Sequence, residues 1–124
     1  MIRLFVSIIF GLVISAGAAT AEYAAVEDRN EFMRIVGGRT LVLTRPGITR
    51  PIAIQVQRNG SLTGEARGYE LNGAWQWTDG RFCRQMDWGG FNVRFSCQAV
   101  SKNGDTLKFV SDRGLFRTAY FELQ

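Results

Sequence analysis

From Asn59 to Gly114 a two-residue turn signal recurs about every ten residues, with short strand-like runs between. Asn59-Gly60, Asn72-Gly73, Asp79-Gly80, Gly89-Gly90, Asn103-Gly104 and Arg113-Gly114 are the punctuation. Asn-Gly and Asp-Gly favour tight hairpins, because both central positions of a type I′ turn need positive φ. Such a chain has little freedom of topology. Strands joined by two residues must be antiparallel neighbours.

The runs between the turns are 39–44, 52–58, 61–70, 74–78, 81–86, 91–101, 105–111 and 115–122. Ile52, Ile54 and Val56 alternate with Ala53, Gln55 and Gln57. Phe91, Val93, Phe95 and Cys97 alternate with Asn92, Arg94, Ser96 and Gln98. A period of two marks a strand with one buried face. Gly64 and Gly68 loosen the third run and are expected to mark bends or bulges. The expected fold is mainly β: an eight-stranded antiparallel up-and-down meander, curled or closed into a small barrel. Closure removes the sheet edges. A two-sheet β-sandwich is the second choice.

Glu27 to Val36 is the one expected helix. Acids lead, Arg34 follows and Gly37-Gly38 ends it, the order that suits the helix dipole and its C-terminal cap. A helix this short does not stand alone. It is expected to plug an end of the barrel.

Residues 1–21 read as a signal peptide. Arg3 is the positive start, Leu4 to Ile14 the apolar centre, and Ala19-Thr20-Ala21 the small-x-small cleavage pattern. The apolar stretch is short of the ~20 residues that span a bilayer, so no stable membrane anchor is expected after cleavage. Residues 22–124 then form a single small β domain, periplasmic or secreted. Losing Arg3 with the leader takes the formal charge from +4 to +3, and the basic residues are scattered, which is no nucleic-acid footprint.

The chain contains no histidine. Ser-His-Asp and Cys-His nucleophile arrangements cannot be built, and the commonest transition-metal ligand is missing. No metal, cofactor or catalytic residue is expected. An enzyme would have to work with carboxylates alone, for which Glu65, Glu70 and Asp79 are the candidates. Cys83 and Cys97 are the only cysteines and flank a predicted hairpin, so one structural disulfide is expected in an oxidising compartment.

Trp75 and Trp77 share one strand face and are expected to include core residues. Trp88 sits beside Gly89-Gly90 at a predicted hairpin tip, and there exposure and a contact role are expected. Arg81, Arg84 and Arg94 lie near one another along the Cys83–Cys97 hairpin. Together they would form a basic spot for carboxylate or phosphate. The plainer expectation is cross-strand pairing with Asp79 or Asp87.

The run Gly73-Ala74-Trp75-Gln76-Trp77-Thr78-Asp79-Gly80-Arg81-Phe82-Cys83-Arg84, with Cys97 and Asp112-Arg113-Gly114 after it, resembles a family of small exported bacterial proteins. The shared pattern is G-x-W-x-W-x-D-G-x-x-C-R followed by a second cysteine. Members of such families sometimes carry the label dihydrodipicolinate reductase. That enzyme resembles a far longer nucleotide-binding protein with a glycine-rich loop after its first strand. Here the first apolar segment is the leader and no such loop follows.

The expected function is an exported binding or accessory module without catalytic activity, its partner a protein or small molecule of the envelope. The alternative is an inhibitor of an envelope-attacking hydrolase. A charge of the same sign as most lysozymes counts against a lysozyme target.

Overall fold

The structure is a computed structural model that describes Gly11 and residues 22–43, 51–112 and 117–124. The leader reading of residues 1–21 lies outside the described residues, Gly11 apart. So does the turn signal Arg113-Gly114.

Eight antiparallel strands close into a barrel: β2 (Leu41–Leu43), β3 (Ile52–Val56), β4 (Ser61–Ala66), β5 (Tyr69–Thr78), β6 (Arg81–Trp88), β7 (Phe91–Asn103), β8 (Thr106–Ser111) and β9 (Thr118–Leu123). Each pairs with the next, and β9 returns to β2 through Leu41↔Leu123 and Val42↔Glu122. The barrel, not the sandwich, is the architecture. Its strands are strongly staggered. Residues 91–98 of β7 pair with β6, whereas residues 98–103 pair with β8 on the other side. The edge that β6 leaves is taken by a short extra strand, β1 (Ala24–Ala25), through Ala24↔Lys102 and Ala25↔Ser101. Such stagger is the geometric condition for closing a sheet on itself.

Turn chemistry departs from the sequence reading in two places. Asn72-Gly73 is not a turn: it lies inside β5, opposite Asp87 and Met86. The turn falls instead at Arg67-Gly68, where φ is +52° and +84°. At Asn59-Gly60 only Gly60 has positive φ, and the Asn59 side chain accepts from the Ser61 amide at 3.0 Å. Asp79-Gly80, with φ of +53° and +73°, has the positive pair of a tight hairpin turn.

The helix α1 (Arg29–Val36) begins at Asp28, whose carboxylate caps the Glu31 amide at 2.8 Å. Its stripe of Phe32, Met33 and Val36 is buried and enters the end of the barrel. Phe32 is fully buried, with ring centroids 5.1–5.6 Å from Trp75, Trp77 and Phe82. The indoles are also held by hydrogen bonds: Trp75 donates to the Gln57 carbonyl at 2.8 Å and Trp77 to that of Glu27 at 3.3 Å. Trp75 is 5% exposed, a core residue as expected. The helix therefore closes the end that carries the 57–60, 79–80 and 104–105 turns. The Arg67-Gly68 and Gly89-Gly90 turns mark the other end.

Candidate functional site

The helix and the aromatic cluster fill only one half of the barrel. The other half is a cavity of about 530 Å³. Its wall is apolar on most sides, with Leu43, Ile52, Met86, Trp88, Val93 and Phe121 among the lining residues, and three polar side chains, Arg67, Arg84 and Gln98, reach it. An apolar cavity with a few polar groups is the usual form of a small-molecule site.

Strand alternation places the polar groups. Phe82, Arg84, Met86 and Trp88 of β6 all line the cavity, while Cys83 lies on the opposite face and is disulfide-bonded to Cys97, its direct partner on β7. Arg84 stands between Trp75 of β5 and Ser96 of β7. Next to it on the wall, Gln98 donates to the Ser111 hydroxyl at 3.0 Å, and the Ser96 and Ser111 hydroxyls are 3.4 Å apart. Ser111 is the one buried polar residue among the described residues. Arg84 is half-buried and donates to the Arg94 carbonyl at 2.9 Å. Burial lowers the pKa of its guanidinium, since desolvation disfavours the charged form. Ion pairs join Arg39 to Asp105 and Arg81 to Asp112. Arg84 has no carboxylate within ion-pair distance, and the segments outside the described residues contain neither Asp nor Glu.

The predicted basic spot is not assembled. Arg81 and Arg84 are three residues apart on a strand, so they face opposite sides. Arg81 pairs with Asp112 rather than with Asp79 or Asp87. Arg94 is exposed, beside a register shift in the β6–β7 ladder, and offers Arg84 only its carbonyl. Of the three arginines, Arg84 alone reaches the cavity. Trp88 is also corrected: it is half-buried rather than exposed, because its indole N–H bonds the Ala66 carbonyl at 2.8 Å and its ring packs edge-on against Tyr69.

The same register shift overturns the predicted facing of β7. Cys97 and Phe95 were expected on the core side. Instead Phe95 is 61% exposed, and Ser96 lies opposite the inward Arg84 while Gln98 lines the cavity. A bulge resets which side chains face inward. Without the cross-strand register, nothing marked Gln98 as a cavity residue or placed Ser96 opposite Arg84.

Glu65 and Glu70 are exposed and directly opposed across β4 and β5, and Asp79 is exposed in a turn at the helix end. The fold does not bring the three together. Among the described residues no group of His, Cys, Asp and Glu could hold a metal ion. No protein-family model, curated protein or solved structure matches this chain.

Proposed function

We propose that the protein is a binding module of the cell envelope that holds a small molecule inside its barrel, entered from the end opposite the helix. The cavity of about 530 Å³ carries this reading. Its size lies within the ~300–1,000 Å³ common to ligand sites. A protein that needed only stability would fill such a space, because interiors pack to crystal-like density. The Cys83–Cys97 disulfide is compatible with an oxidising compartment, which supports export to the periplasm or beyond.

The test is titration with N-phenyl-1-naphthylamine, a neutral apolar dye that brightens in apolar surroundings. The purified protein should bind it saturably, one per barrel. Ala119→Trp and Val93→Trp, which each place an indole in the cavity, should abolish binding while retaining a cooperative melt. Absence of saturable binding by the wild-type protein overturns the reading.

A second reading, a protein-facing accessory or inhibitor role, is favoured by Phe91 and Phe95. They are 75% and 61% exposed near the tip of the β6–β7 hairpin, and large exposed aromatics are common at contact surfaces. An envelope hydrolase inhibited by the wild-type protein but not by Phe91→Ser/Phe95→Ser would establish it.

A further inference from the structure

We infer that the barrel interior takes an amphipathic monoanion, with its carboxylate on Arg84 and its apolar body along the cavity wall. This rests on the reading of the barrel as a small-molecule binder and names the class of ligand.

Arg84 is the reason. An arginine directed into an apolar cavity is costly unless its charge is paired. Every carboxylate of the chain is among the described residues, and none pairs with Arg84. Its one hydrogen-bond partner among the described residues, the Arg94 carbonyl, takes a single donor of the five that a guanidinium offers. The remaining fork suits a planar carboxylate held through two parallel bonds. Gln98, which donates to the Ser111 hydroxyl, adds a second polar group to the wall, and Ser96 lies opposite Arg84 on the neighbouring strand. Arg67 also lines the cavity.

Size and polarity define the rest of the ligand. At about 30 Å³ per water-sized group, 530 Å³ holds on the order of 15 to 18 non-hydrogen atoms. The surroundings away from Arg84 are aliphatic and aromatic, from Leu43 and Ile52 to Phe121. The chemistry is that of a medium-chain fatty acid or an aromatic carboxylic acid of similar size.

Calorimetric titration of the wild-type protein with decanoate, 1-decanol and decyltrimethylammonium separates charge from chain. Decanoate should bind about ten- to a hundredfold more tightly than decanol, the worth of a hydrogen-bonded charge pair. The cation should bind more weakly than either. Arg84→Gln should remove the preference for decanoate and leave decanol unchanged, and Arg84→Lys should restore part of it. Without ligand, Arg84→Met should melt no lower than wild type, because it removes an unpaired charge from an apolar wall. A lower midpoint would make Arg84 a structural residue and overturn the inference. Equal affinity for decanoate and decanol, with the neutral dye still bound, overturns the anionic class and leaves interior binding standing. If neither the dye nor any of the three chains binds, both readings fall.

Discussion

Trp88 reaches over β5 and donates its indole N–H to the Ala66 carbonyl on β4, at 2.8 Å. This bond adds to the β5–β6 ladder and the Gly89–Glu70 backbone bond in tying the β6–β7 hairpin to the β4–β5 hairpin at the end opposite the helix. Trp88→Phe keeps most of the ring and loses the bond, so it should cost about 1 kcal/mol. Trp88→Ala also loses the packing against Tyr69 and should cost about 2–3 kcal/mol, below the range for a fully buried aromatic. Urea melts of both variants check the order.

The Cys83–Cys97 bond closes a loop with a sequence separation of 14. Removing it in a Cys83→Ala/Cys97→Ala protein should cost about 3 kcal/mol through the freed unfolded chain. Alkylation of the native protein without reductant should label neither cysteine, and mass analysis reads the result directly.

Phe32 is fully buried at the centre of the plug. Phe32→Ala should cost about 3–5 kcal/mol. Asp28→Ala, which removes only the helix cap, should cost about 1 kcal/mol. Chemical denaturation of the two variants distinguishes losing the plug from loosening its first turn.

Gly64 and Gly73 lie inside strands where neighbouring backbone approaches closely. A Cβ on Gly64 would meet the Ala53 carbonyl oxygen, and one on Gly73 that of Gln85, each at 2.1 Å. Neither contact is sustainable, so the strands would have to part. Gly64→Ala and Gly73→Ala should each lower the urea midpoint, by at least the ~1–3 kcal/mol typical of overpacking. Gly104→Ala meets nothing within 4 Å but sits at φ +59°, so it should be the mildest of the three.

Barrel, plug and disulfide were legible because each leaves a local mark. Alternation shows in Ile52, Ile54 and Val56. Turn residues show at Asp79-Gly80, and an acid-to-base gradient followed by glycine marks the helix. The site was less legible because it depends on register. Arg67-Gly68 lacks the Asn or Asp that advertises a tight turn, whereas Asn72-Gly73 advertises one and is held in a strand by pairing with Asp87 and Met86. The shift between Arg84 and Met86 turned Ser96 and Gln98 inward against the apparent alternation. A bulge is a property of two strands, and one strand's sequence does not announce it. The opposite facing of Arg81 and Arg84 needed only strict counting along β6, and was available from the start.

Ala24 pairs with Lys102, and Gln124 exchanges both backbone bonds with Thr40 beside the plugged end. Both chain ends of the barrel therefore leave from the side that the helix seals. Any tether, fusion partner or solid support attached at either end would hold the barrel like a cup by its base. The end that carries the Arg67-Gly68 and Gly89-Gly90 turns would point away from the anchor, toward whatever lies beyond.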